Sequence, residues 1–238
     1  MAGVRVVRRD DGERIADFYR YYVENTSINF EYDAPDATEF ARRMDAVLPD
    51  HPFLVAVDEA DEVVGFLYAE PVSPRPAYSW SAKTTIYLDP KIREHGVGTL
   101  LYDVLEDVLV RQHMVNLYAI VTCAQDDPLT DIPHSSLDEV VRSELLGRDV
   151  PPTGPEPDGH LPLASPRFHA ARGFRVIGRE VGSGYKFGRW YDKLLMQKKL
   201  ADPRQQTRPI VPFRLIAPRD GWFVRSGGGR DGPSGTGC

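Results

Sequence analysis

The chain has 238 residues, a formal net charge of −6 at pH 7, 42% hydrophobic residues, 27% charged residues and two cysteines. That length and apolar content suit one large domain or two small ones and exclude wholesale disorder, while the acidic balance argues against general nucleic-acid binding. Cys123 and Cys238 cannot form a disulfide framework, no stretch approaches the roughly 18 apolar residues of a membrane span, and the N-terminus lacks the apolar run of a signal peptide, so a reducing, cytoplasmic setting is expected.

The first predicted element is a short strand, Val4–Val7. Asp10 or Asp11 can cap the helix that follows, in which Ile15, Phe18, Tyr19, Tyr22 and Val23 recur at helical spacing. Asp36 can cap a second helix, with Phe40, Met44, Val47 and Leu48 on one face. Phe53–Val57 and the strand from Val63 to Tyr68 read as an antiparallel hairpin across the turn DEADE. A strand is expected over Tyr78–Leu88. A helix beginning near Gly98 would bury Leu100, Leu101, Val104, Leu105, Val108 and Leu109. Leu117–Thr122 is a short continuous apolar run, as in a buried strand. A short helix over 164–172 and strands over Phe174–Gly178 and Tyr191–Lys199 complete a mixed α+β sheet.

Two segments stand apart in composition. Residues 125–160 are acidic and Pro-rich, and Ser135 or Ser136 with a carboxylate three residues later can start a short helix there. Residues 201–238 carry six arginines against three aspartates and end in a Gly/Ser-rich run, so a basic tail lacking regular structure is expected after a domain spanning 1–200.

The stretch that points to chemistry follows the strand ending at Leu88. Arg93, Glu94, His95, Gly96, Val97 and Gly98 lead directly into the helix. Glycines at 96 and 98 let the backbone approach a ligand and turn N–H groups toward one point, and the helix N-terminus adds unpaired N–H groups and a positive dipole end. Together they suit a pyrophosphate; a Gly-rich turn that only starts a helix is the plainer alternative.

R-x-x-G-x-G between strand and helix resembles the acyl-coenzyme A loop of the GNAT acetyltransferases. VENTSINFE (Val23–Glu31), the block Gly65–Pro90, RFHAARGFRVIGR (Arg167–Arg179) and GYKFGRWYDKLLMQ (Gly184–Gln197) resemble, in order, blocks of the phosphinothricin acetyltransferase subgroup. The resemblance covers most of 1–200, but neither 125–160 nor the tail. It implies a GNAT fold, with acetyl-coenzyme A as cosubstrate and no metal, lying in a V-shaped opening between two splayed parallel strands, here Tyr78–Leu88 and Leu117–Thr122. It also implies that main-chain groups of Ile86, Tyr87 and Leu88 bind the pantetheine arm, that Arg93 through Thr99 hold the pyrophosphate, and that a small-molecule amine attacks the thioester directly. A homodimer is compatible with it.

The subgroup's general base is a Glu three residues after the tryptophan; here Trp80 is followed at that position by Lys83, a cation at pH 7 unless desolvated. Lys83 could instead be a solvated surface charge or attract an anionic acceptor. His169 matches the subgroup's catalytic His, with a packing histidine as the alternative. Glu31 is another carboxylate base, unless it is simply solvated. Phe30, Tyr78, Trp80 and Tyr185 are candidates for the acceptor pocket or for core. The subgroup's Asn before the His is missing, and Ser165 or the 125–160 insertion could replace its cofactor contact. The insertion could be a lid or a surface excursion. Neither His/Cys metal spacing nor a G-x-S-x-G elbow occurs. The expected function is acetyl transfer to a small, amino-acid-like amine. The alternatives are a protein N-terminus or an aminoglycoside-like amine as acceptor, or a catalytically weak acyl-coenzyme A-binding protein.

Overall fold

The sheet is built from two sets of strands that share only a short seam. In the computed structural model, which describes residues 3–92, 96–123, 160–161, 164–205 and 207–225, eight strands and four α-helices alternate. They are β1 (Gly3–Val6), α1 (Asp11–Asn25), α2 (Ala37–Val47), β2 (Phe53–Val57), β3 (Val63–Pro71), β4 (Ser81–Leu88), α3 (Val97–Arg111), β5 (Asn116–Cys123), α4 (Ala164–Ala171), β6 (Arg175–Lys186), β7 (Arg189–Lys199) and β8 (Trp222–Arg225). The strand order is β6-β7-β5-β4-β3-β2-β1-β8, mixed because β4 and β5 run parallel. The expected helix within 125–160 lies outside the described residues.

Local chemistry explains the element ends. Asp36 caps α2, its side chain accepting from the Glu39 N–H at 2.8 Å. Asp11 is the first helical residue of α1 rather than its cap. Its carboxylate takes the Arg8 N–H at 2.6 Å and grips the buried Arg5 guanidinium at 2.7 and 2.8 Å. The β6–β7 hairpin is longer than expected because its turn, Phe187-Gly188, has positive φ at both residues (49° and 78°), which matches the twist of long strands.

Two apolar layers cover the sheet. Tyr19, Val23, Phe40, Met44, Phe53 and Phe66 form an aromatic-rich core under α1 and α2. On the opposite face, Leu101, Tyr102, Leu105, Val108, Leu117, Met196 and Phe213 pack beneath α3 and α4.

Phe213 corrects one expectation. The described residues from Ala201 to Arg225 do not leave the fold. Phe213 is fully buried, its N–H donates to the Asp50 carbonyl at 3.2 Å, and β8 pairs antiparallel with β1. The polar, Gly-rich end of the segment hid this edge strand, which is only four residues long. Tyr78 is a second correction. It sits in a 3₁₀ turn, Pro76–Tyr78, exposed before β4, because two prolines flanking Arg75 break the strand there. Among the described residues no helix is long and apolar enough to cross a membrane.

Candidate active site

The parallel ladder between β4 and β5 runs from Ser81↔Asn116 to Thr84↔Ala119 and stops, although each strand continues to Leu88 and Cys123. Beyond that point β4 stays paired with β3 through Gly65↔Leu88, and β5 with β7 through Cys123↔Asp192. Each strand follows its own half-sheet, and a V opens between them. The Ile86, Tyr87 and Leu88 main chain lies along one arm.

At the open end the chain turns into α3. Asp89 is buried and fixes that turn: it pairs with Arg14, accepts the Lys91 N–H at 2.8 Å and offers its carbonyl to Ile92. Arg93, Glu94 and His95 lie outside the described residues. Gly96 caps α3 with φ +93°, a conformation L side chains rarely adopt, and an added Cβ would meet nothing within 4 Å. Among the described residues the space beside Gly96 is open, next to the first-turn N–H groups of Val97, Gly98 and Thr99, which have no intrahelical acceptor. Gly98 is needed for a different reason. A Cβ there would press on the Phe168 ring at 3.2 Å and lie 3.6 Å from Ile86 Cδ1. The strand edge, the open glycine and the helix end fit a pantetheine–pyrophosphate chain laid from the V to α3.

Side chains of β4 alternate between the two faces. Ala82, Thr84 and Ile86 look toward α3 and α4. There His169 is 4% exposed and both its ring nitrogens are taken. Nδ1 donates to the Ser165 carbonyl one turn back (2.8 Å), so Nε2 accepts from the Tyr102 hydroxyl (2.7 Å). Phe168 and Phe174 stand edge-on to the imidazole. Burial holds its pKa below 6.5. Ser165 thus serves His169.

Lys83, Thr85 and Tyr87 look the other way. Lys83 faces Glu70, its register partner on β3, with Nζ 3.3 Å from a carboxylate oxygen and both side chains more than a third exposed. Tyr87 meets Tyr19, Tyr22 and Phe66 at centroid distances of 4.7, 5.0 and 5.6 Å. Burial raises the pKa values of Tyr19, Tyr68 and Tyr87, so these phenols stay neutral; that of Tyr22 is pushed up to about 12.

Over this aromatic floor lies the irregular segment between α1 and α2. Glu31 Oε1 is held by Arg43 at 3.1 Å. Among the described residues Glu31 Oε2 is buried with no hydrogen-bond partner, and the buried Asn29 amide lies against the Tyr87 phenol. The Glu31 charge reaches Tyr19, Tyr68, Tyr87, Arg43 and Lys186.

Of the aromatic candidates, Phe30 leans on Gly184 and lies 6.5 Å from Tyr191. Tyr185 is half exposed, 5.2 Å from Trp190, and its carbonyl accepts from Tyr32. Trp80 stands at the closed end of the β4–β5 seam, away from the V. Its indole N–H donates to the Arg208 carbonyl at 2.8 Å, and its own carbonyl takes the Val115 and Asn116 N–H groups. Sequence reasoning missed Asn29, Arg43, Glu70 and Lys186. Asn29, Glu70 and Lys186 lay in quoted blocks and Arg43 outside them, and nothing in their spacing singled them out.

The acetyltransferase (GNAT) domain family matches residues 4–195. The chain belongs to the GNAT acetyltransferases. Within that family it is similar to the phosphinothricin N-acetyltransferase of Streptomyces coelicolor (27% identity over 200 residues, 83% of this chain and 95% of the relative). The enzyme of the same name from Alcaligenes faecalis is 30% identical over 198 residues, covering 83% of this chain and 82% of the relative. A phosphinothricin acetyltransferase from Sinorhizobium meliloti, solved with acetyl-coenzyme A, superposes with a TM-score of 0.65 at 25% identity, over 90% of this chain and 98% of that one. This GNAT chain is therefore an N-acetyltransferase of phosphinothricin acetyltransferase type, with the mixed sheet of that fold. Among its described residues no group of three or more His, Cys, Asp or Glu side chains gathers around a common point.

Proposed function

We propose that the chain transfers the acetyl group of acetyl-coenzyme A to the primary amine of a small, amino-acid-like acceptor, with Glu31 as the group that takes the amine proton. The observation that carries this reading is the buried Glu31 Oε2, which has no hydrogen-bond partner among the described residues, with the Asn29 amide two residues away against the Tyr87 phenol. An acceptor with an amine and a carboxylate fits here: its ammonium donates to Glu31 Oε2, and its carboxylate accepts from the Asn29 amide, which has two N–H donors. The names of the relatives, phosphinothricin N-acetyltransferase, agree with such an acceptor.

When bound, acetyl-coenzyme A supplies a thioester carbonyl open to attack by an amine. The chain's own residues position and deprotonate. Main-chain groups on the free arm of β4 hold the pantetheine, and the Gly96–Thr99 backbone faces the pyrophosphate. Arg43 keeps Oε1 of Glu31 engaged, which leaves Oε2 for the amine. Lys83 does not take the subgroup's base role, because its ammonium faces the Glu70 carboxylate and has no lone pair to offer. In the exchange the acceptor nitrogen bonds the acetyl carbon, the carbon–sulfur bond breaks, the sulfur keeps that electron pair, and coenzyme A leaves as the thiol after protonation.

The test incubates the purified full chain with acetyl-coenzyme A and phosphinothricin, then with a panel of amino acids, aminoglycosides and peptide N-termini, following thiol release. Turnover on amino-acid-like amines, abolished with loss of cofactor binding in Gly96→Asp, is the expected result. Cofactor binding without turnover on any amine would mean a binding module instead.

A further inference from the structure

An ammonium is strongly hydrated, and burying it without a counter-ion in contact is expensive. Lys186, the last residue of β6, is only 3% exposed. Its three N–H donors go to neutral oxygens: the Thr26 carbonyl at 2.8 Å, the Asn29 carbonyl at 3.2 Å and Asn29 Oδ1 at 3.1 Å. Burial pulls its pKa below the ordinary lysine value, and the Glu31 charge opposes that fall.

All three acceptors lie in the irregular segment that carries Glu31. Other contacts join the same two pieces of chain. The Phe30 ring lies on Gly184, where any Cβ would sit 2.5 Å from it, and the Tyr32 hydroxyl donates to the Tyr185 carbonyl. Fold stability alone does not call for a lysine, since an apolar side chain of similar volume is often as good at a buried ionic position. An ammonium does what an apolar group cannot, which is to select one arrangement of three oxygens.

We infer that Lys186 is a positioning residue of the acceptor site: its ammonium fastens the Thr26–Glu31 segment to the β6–β7 hairpin and so sets where Glu31 Oε2 and Asn29 Nδ2 stand beside Tyr87. The meaning given to Glu31 rests on the proposed acetyl transfer; the fastening itself does not.

Lys186→Met in the full chain tests both parts. Amide hydrogen exchange over residues 26–32 should rise by about tenfold or more, with residues 53–71 unchanged. With acetyl-coenzyme A and phosphinothricin, or the best amine of the panel, kcat/KM for the acceptor should fall about tenfold, while KM for acetyl-coenzyme A stays within about twofold. In a Glu31→Gln background the further loss should shrink to about twofold, because the positioned carboxylate is gone. Unchanged exchange over 26–32 overturns the fastening, and an equal loss in both backgrounds overturns action through Glu31. If Glu31→Gln matches the parent, the base reading fails, and the exchange and acceptor KM results decide the case for Lys186. Should Lys186→Met not fold, Asn29→Ala, which removes one of the three oxygens, should raise exchange over the same segment; no rise overturns the proposal.

Discussion

On the α3–α4 face of β4, His169 and Tyr102 are buried together, and the histidine spends one nitrogen on Ser165 and the other on the tyrosine. On the α1–α2 face, Glu31 keeps a buried oxygen without a partner among the described residues. Both faces are aromatic and both carry a titratable group, yet the imidazole of one has both nitrogens engaged and the carboxylate of the other keeps an oxygen open. A buried carboxylate oxygen without a partner costs free energy in the isolated fold, and a ligand donor removes that cost. A resemblance that carries the catalytic role to His169 thus meets a satisfied imidazole, while the carboxylate it favours least is the one with a free oxygen.

Several substitutions break or sharpen this contrast. Glu31→Gln keeps the shape and removes the base; kcat should fall by about 10²–10⁴-fold with acetyl-coenzyme A affinity nearly unchanged, as read by steady-state kinetics and calorimetry. A loss under about tenfold would erase the distinction between the faces. Phe213→Ala, on the closed face, should cost about 3–5 kcal/mol in denaturant unfolding and leave cofactor affinity alone. His169→Ala should cost about 2–3 kcal/mol, since Tyr102 and the Ser165 carbonyl each lose a partner, with kcat at a permissive temperature within about threefold. A hundredfold fall in kcat there would bring the closed face into the chemistry.

The same histidine sets a pH dependence. Its folded pKa lies below the unfolded value of 6.5, so the unfolded chain binds the proton more readily. The stability it contributes is present above pH 6.5 and declines as pH falls from there toward the folded pKa; His51, also lowered by burial, adds to the slope. His169→Gln should flatten the melting temperature against pH below 6.5, and an unaltered slope would show that the imidazole is not held neutral. The smallest effect is expected for Lys83→Met. Its pair with Glu70 is exposed, so stability should shift by about 0–1 kcal/mol, with kcat within about threefold.

Most strands and helices could be read from periodicity, because apolar spacing of two or 3.6 residues reports one buried face wherever it lies. The Asp36 cap and the Gly96–Gly98 turn were legible for a similar reason: their partners are within a few residues. Tyr78 misled because its neighbouring prolines end the strand that its aromatic character suggested. Trp80 misled because its partner, Arg208, comes 128 residues later. Lys186 and Thr26 are 160 residues apart, and no local pattern encodes that contact.

Chain order alone was enough for most of the elements though not β8, for the Gly-containing turn, for the family resemblance and for the absence of a carboxylate at position 83. Only the tertiary structure decided which polar atoms are spent and which are free. A hydrogen bond depends on ångström-scale approach and direction between groups that the chain order keeps apart, so the sequence favours His169 over Glu31, and only their neighbours in space show which has an open acceptor.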